Sequence, residues 1–377
     1  MTLTLTAAAV AIGAAGASVV VGSRAGTAAA TGRGVLASGA CAAVASLAVA
    51  AALAVDRLGA FGLMHFVYLV ATVSLPLLGL GVLARSIRDR RSPGFGAVHA
   101  RSFGVLLLIP GALGIYGTHV EPNRLRVDRI EVALDPARDG DDEVRIAVLA
   151  DLQTNHVGDH ERRAIDEVLA ADPDVILLPG DLFQGTAAAF DRELPRLQAE
   201  LGRLVAPHGV FFVRGDVDHG DFADRALAGT GVQILDGELA EVQVGDRRLV
   251  IGGHPLDYRG DAAARTRTEV VAAAGEGAVT ILLAHRPDTI LGLPAGAPVD
   301  LTVAGHTHGG QIVLPGYGPL VTMTDLPRHV ARGGLHEVDG NTIYVSAGVG
   351  LERAEAPQVR LFSRPSIGIL TLRDRSA

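Results

Sequence analysis

The sequence has no lysine, and its only cysteine is Cys41. A lone cysteine excludes an internal disulfide framework and a cysteine-rich zinc site, and Cys41 lies in an apolar segment. With lysine absent, all 33 basic residues are arginine; against 41 acidic residues they leave a formal net charge of −8. The C-terminal part contains no basic run, which argues against nucleic acid as a partner. Internal repeats and low-complexity linkers are also missing after residue 120.

What the chain has instead is apolar surface in one place. Its mean hydropathy is +0.33, and the apolarity is concentrated before residue 120. Four stretches, 3–21, 34–55, 59–84 and 103–118, approach the ~20 apolar residues that cross a bilayer, the last being short. The first lacks a basic segment ahead of its apolar run, so it reads as a retained span rather than a cleaved signal peptide. Arg85, Arg88, Arg90, Arg91 and Arg101 crowd the connection between the third and fourth stretches, and Arg24 and Arg33 lie between the first two. Arginine-bearing loops face the cytoplasm, so four spans would put everything after residue 118 on the other side. Within a length of 377 residues this divides the chain into a membrane region, 1–120, and one sizeable domain, 121–377. A transporter would need polar groups within the spans, and His65 is the main one present.

From about Arg124 the texture becomes that of an α/β domain. Five β-rich runs each end in an acid or a histidine. Run 144–149 leads to Asp151, run 175–178 to Gly180-Asp181, and run 210–213 to Gly215-Asp216-Val217-Asp218. Run 279–283 leads to His285, and run 301–304 to Gly305-His306-Thr307-His308-Gly309-Gly310-Gln311. Amphipathic stretches at 159–171 and 190–204 read as helices. Loops at the carboxyl ends of strands build the sites of α/β sheets. Taken singly, each of these side chains is an ordinary turn or capping residue; their recurrence at five strand ends is the signal. In extended backbone, residues two apart point the same way, so His306 and His308 are expected to face one site. Oxygen and imidazole donors without sulfur suit Mn, Zn or Fe, and a set this large suits two divalent ions.

The order of these motifs resembles the calcineurin-like metallophosphoesterases over residues 140–372. Gly305-His306-Thr307-His308-Gly309-Gly310-Gln311 is its most specific part. Leu314-Pro315, the run 344–348, Arg360-Leu361 and Arg364-Pro365 resemble the bacterial branch with membrane-anchored, extracytoplasmic domains. The resemblance implies a four-layer αββα sandwich, two mixed sheets flanked by helices, here behind an N-terminal bundle of about four transmembrane helices. It implies that Asp151 and His308, with Gln153, hold one ion, that Asp181 bridges, and that Asp216, His285 and His306 hold the second. Asp151, Asp181, Asp216 and His306 would then be central to catalysis, and a metal-activated hydroxide would attack a phosphomonoester or phosphodiester.

Three positions depart from the family pattern. Gln153 stands where the first motif, Asp-x-His, has histidine. Asp216 and Val217 stand where the third motif, Gly-Asn-His-Asp, has asparagine and histidine. An amide oxygen ligates more weakly than imidazole, whereas Asp216 adds a negative charge. Val217 cannot replace the histidine that in the family contacts phosphate and is assigned to protonating the leaving group. His156 and His219 are the nearby candidates for that role. The expectation is a membrane-anchored phosphoesterase acting on a substrate that includes lipid or envelope-derived esters. The alternative is a pseudoenzyme that binds metal and phosphate without turnover.

Overall fold

The computed structural model describes residues 6, 8–15, 17, 59–88 and 95–374. The chain divides into two compact units, one of Met1–Val120 with Arg353–Gln358, the other of Glu121–Glu352 with Val359–Ala377.

In the first unit, α1 (Ala60–Leu69) runs through a π-helical turn, Val70–Ser74, into α2 (Leu75–Arg88). Helices α3 (Phe95–Leu106) and α4 (Ile109–Ile115) follow. Pro110 opens α4, where the N–H it lacks has no helical partner to lose. Two continuous stretches, Ala60–Arg88 of 29 residues and Val98–Asn123 of 26, are long and apolar enough to cross a membrane. The first contains nearly all of the expected span 59–84. The second is longer than the expected 103–118, because the helix continues through a polar first turn; there Arg101 Nε donates to Ser86 Oγ at 3.2 Å. Of the expected span 3–21, residues 6, 8–15 and 17 are helical; 34–55 lies outside the described residues. Helices α2 and α3 meet where neither has bulk: a methyl group on Gly79 would lie 2.7 Å from Gly104 O. Small residues are what permit such close helix approach in lipid. His65 Nδ1 lies 3.1 Å from Glu355 O within this unit.

The second unit is built on two six-stranded sheets. The first holds β1 (Arg126–Leu134), β2 (Val144–Val148), β3 (Val175–Leu178), β4 (Val210–Phe212), β5 (Gln233–Ile234) and β14 (Ser366–Asp374), in the order β1-β14-β2-β3-β4-β5. The second holds β6 (Leu239–Val244), β7 (Arg247–Gly253), β8 (Val279–Leu283), β9 (Leu301–Ala304), β12 (Gly334–Val338) and β13 (Asn341–Val345), in the order β12-β13-β9-β8-β7-β6. Both are mixed: β2, β3 and β4 run parallel while β14 is antiparallel to β2. Likewise β7, β8 and β9 run parallel while β6 is antiparallel to β7. A small hairpin, β10 (Val313–Leu314) with β11 (Gly318–Pro319), stands apart.

Alternation explains why the central strands read as unbroken apolar runs. Ile146, Val148, Leu177 and Phe211 face Ile251, Ile281, Leu283 and Val303 of the other sheet. Ala147, Ile176, Leu178 and Phe212 face the outer helices, so both faces are buried. Those helices are α5 (Asp159–Ala170), α6 (Ala187–Leu201) and α7 (Phe222–Leu227). On the far side α8 (Asp261–Ala274) contributes Val270 against Leu282. Helix α6 starts three residues before the expected 190, because Thr186 Oγ1 caps it by accepting from Ala189 N at 3.2 Å. A four-residue helix, α9 (Arg328–Ala331), completes the unit.

Candidate metal centre

The loops leaving β2, β3, β4, β8 and β9 are laced together by backbone bonds. Asp151 N donates to Gly180 O at 3.1 Å, Gln153 N to Asp181 O at 2.7 Å, and Gly305 N to His285 O at 3.0 Å. Close approach is enforced at two glycines. A Cβ on Gly215 would sit 2.2 Å from Asp181 Oδ1, and one on Gly180, whose φ is +87°, would sit 2.6 Å from Gly215 N. Asp218 ties the same loops, accepting from Asp181 N at 2.7 Å and Gly215 N at 2.8 Å.

This brings five of the expected residues together. Asp216, His285 and His306 form one group able to hold a cation; Asp151, Asp181 and His285 form another, so His285 belongs to both. His306 Nδ1 lies 2.8 Å from Asp216 Oδ2, and His285 Nε2 lies 3.3 Å from Asp216 Oδ2 and 3.5 Å from Asp181 Oδ2. Each imidazole is held from behind. His285 Nδ1 is 2.7 Å from Pro179 O, and His306 Nε2 is 2.9 Å from Met323 O. An N–H donated to each carbonyl leaves the opposite nitrogen turned into the cluster, as metal-bound histidines require.

His306 and His308 are not related by extended backbone. Both adopt left-handed conformations, with φ of +71° and +50°, so the two-residue alternation expected for them does not apply. His306 joins the cluster, whereas His308 is 3% exposed and, among the described residues, neither of its ring nitrogens meets full hydrogen-bond geometry; the Gly350 backbone is close enough only to oppose weakly the effects of burial and charge on it. Burial and the nearby Arg360 guanidinium hold its pKa well below the usual value, so it is a neutral imidazole with a free lone pair. A buried polar group without a partner is costly, and a bound cation would satisfy it.

The charges fit that reading. Burial pushes Asp151 up to about 7 and Asp181 up to about 6, with His285 acting in the opposite direction on each. Burial also acts to lower His285, but Asp181, Asp216 and Asp151 outweigh it and raise the imidazole to about 10. Protons are thus held where a cation would neutralise the same carboxylates. Asp216 differs: burial acts to raise it, but hydrogen bonds from His285, His306 and Arg286 together hold it well below the usual carboxylate range.

Arg286 escaped the sequence reading. It grips both carboxylate oxygens of Asp216, with Nε 3.2 Å from Oδ2, and so offsets the charge that replacing asparagine by Asp216 adds. Its only sequence signal is adjacency to His285. Gln153 sits at the first motif as expected, but its Nε2 donates to Gln184 Oε1 and Glu352 Oε2, both at 3.1 Å. Of the expected histidine ligands, His308 belongs to neither cation-binding group. Val217 offers the site only its backbone, donating to Asp181 Oδ1 at 2.9 Å. His156 is paired with Glu193 of α6 at 3.3 Å, and His219 is exposed. Arg360, fully buried, donates to the carbonyls of His308, Ala347, Gly348 and Gly350 and thereby fixes the turns around Asp151 and His308.

Residues 144–310, which include every member of both groups, match the family model of the calcineurin-like phosphoesterases. Residues 144–310 form a calcineurin-like phosphoesterase domain. Such domains are metal-dependent phosphoester hydrolases. The protein is 27% identical over 302 residues to the metallophosphoesterase YkuE of Bacillus subtilis, spanning 74% of this chain and 94% of that one. It is 28% identical over 204 residues to the phosphodiesterase YaeI of Escherichia coli, spanning 53% and 70%. With the UDP-2,3-diacylglucosamine pyrophosphatase LpxG of Chlamydia trachomatis it shares 25% over 262 residues, spanning 57% and 78%.

Proposed function

We propose that this protein is membrane-anchored and uses two divalent ions to hydrolyse phosphomonoesters or phosphodiesters, including lipid or envelope-derived ones. The observation that carries the reading is the pair of acid–histidine groups sharing His285, each imidazole braced by a backbone carbonyl. His308, buried and outside both groups, is the further donor this reading adds. Two ions bound there would clamp the phosphoryl group and supply a hydroxide at neutral pH. The chain's part is to fix the Asp181 carboxylate through the Val217 N–H, and to keep Asp216 ionised through Arg286. The Ala60–Arg88 and Val98–Asn123 helices support anchoring, since Val67, Leu80, Ile87, Val105, Leu106 and Ile115 turn outward. The arginine bias of the connecting loops supports a hydrolase domain outside the cytoplasm. Alkaline phosphatase and green fluorescent protein fused after residue 120 test this, and fluorescence without phosphatase activity would overturn it.

No side-chain acid is present at Val217. A positioned general acid typically contributes ~10²–10⁴-fold, and it matters most when the leaving oxygen is strongly basic. Hydrolysis should therefore fall steeply from nitrophenyl to alkyl esters, and Val217→His should flatten that dependence with its largest gain on alkyl esters. Weak leaving-group dependence in the unaltered protein would refute this part of the mechanism.

A further inference from the structure

Among the described residues after position 120, seven large apolar side chains are exposed, and five of them gather in one place. Leu314 and Tyr317 lie on the β10–β11 hairpin and Leu320 and Met323 on the segment leaving it. Phe362 joins them because Val313 N bonds to Leu361 O at 2.9 Å. These five are 40–56% exposed. Leu314, Tyr317 and Phe362 line a cavity of about 510 Å³ with Pro315, Pro319, Arg328, His329 and Arg332, and no acidic residue is among its lining residues; Leu320 and Met323 lie on the segment that leaves it. Arg328 stacks over the Tyr317 ring at 4.6 Å, and Arg332 is exposed. Clustered exposed apolar surface of this kind marks an interaction site, and the cavity within it suits a small ligand.

The cavity is tied to the metal centre by the chain that builds it. Met323, at one end of the patch, supplies the carbonyl that orients His306. Gly310, which closes the His306–His308 turn, packs so tightly under the hairpin that a Cβ there would meet Pro319 Cβ at 2.4 Å. A ligand with phosphate at the centre and an apolar tail against the hairpin would engage both through one contiguous piece of structure.

We infer that the hairpin cavity binds the alkyl or acyl chain of an anionic phosphoester amphiphile. This deepens the phosphoesterase reading and rests on it. The apolar wall takes the chain, and Arg328 and Arg332 face the negative charge such amphiphiles carry. A macromolecular partner at this face is the competing occupant, and it predicts no dependence on chain length.

The test is calorimetric binding of n-alkylphosphonates of two to six carbons to the full chain in non-ionic detergent with Mn²⁺. Affinity should rise about twofold per methylene, roughly half the effect of complete burial. Leu314→Ser with Phe362→Ser, both at exposed positions, should abolish that rise. Retained ethylphosphonate binding in this variant reports an intact fold, and Tyr317→Ser gives an independent second variant. Affinity independent of chain length, or a dependence unchanged in both variants, would overturn the inference. Hydrolysis of a nitrophenyl phosphodiester is measured in parallel. Its absence alongside intact chain-length dependence would count against the enzymatic reading and leave the cavity assignment standing.

Discussion

Replacing His308 by leucine should have opposite effects on stability with and without metal. The imidazole is 3% exposed, and, among the described residues, neither of its nitrogens meets full hydrogen-bond geometry. A buried polar group left unsatisfied costs roughly 1–3 kcal/mol. His308 is neutral at pH 7, because burial and Arg360 depress its pKa, so leucine removes no charge. Leucine is not branched at Cβ, so it tolerates the left-handed backbone better than valine or isoleucine would. Allowing for imperfect packing, His308→Leu should stabilise the metal-free protein by about 1 kcal/mol, a rise in Tm of roughly 2–4 °C. With metal the sign reverses: an ion present at about 100 times its Kd stabilises by about 2.7 kcal/mol, and the variant forfeits that at one site. Thermal unfolding followed by circular dichroism in detergent, in EDTA and then in excess Mn²⁺, reads both arms. A variant less stable in EDTA that keeps the full Mn²⁺-induced shift would refute the assignment of His308.

Metal binding should release protons in a pH-dependent way. Binding needs Asp151 and Asp181 ionised and His285 neutral, whereas the metal-free protein holds them near 7, 6 and 10 respectively. Apparent affinity should therefore rise with pH through 6–7, and the protons released should diminish toward pH 8.5, where only His285 still gives one up. Calorimetry in buffers of different ionisation enthalpy measures this; pH-independent binding without proton release would contradict it. The same raised values mean that these groups favour the metal-free fold at low pH. For the two carboxyls the contribution is present near pH 4 and lost as pH rises through about 6–7; for His285 it is present below 6.5 and lost through about 10. Arg286→Met should tighten metal binding several-fold, because the guanidinium competes with a cation for Asp216. It should change fold stability by less than ~1 kcal/mol, as expected for a partly exposed pair. Weaker metal binding in a metal titration would contradict that.

The strands that feed the site were legible in sequence because each is buried on both faces and so reads as a short apolar run. Asp151, Asp181, Asp216, His285 and His306 were legible because each follows such a run. Strands β1, β6 and β12 carry half-exposed, charged faces, and no site residue marks their ends. The insertion of β14 between β1, to which it runs parallel, and β2, to which it runs antiparallel, depends on pairing across the whole domain. Local conformation was the other limit. Alternation along extended backbone cannot anticipate His306 and His308 at positive φ, a geometry stabilised by Asp151 accepting from His306 N at 2.9 Å. Nor could spacing reveal that Gln153 turns toward Glu352, a contact 199 residues away in sequence. Glu352 is itself placed by Gln311 Oε1, which accepts from Glu352 N at 2.9 Å.

The most direct test of the two-metal account is elemental analysis of the purified full chain after dialysis against Mn²⁺, with hydrolysis of bis(4-nitrophenyl) phosphate measured on the same samples. The account predicts two ions per chain, activity that tracks occupancy and disappears in EDTA, and loss at both sites in Asp181→Asn. A single ion per chain, or full occupancy that Asp181→Asn leaves untouched, would contradict it.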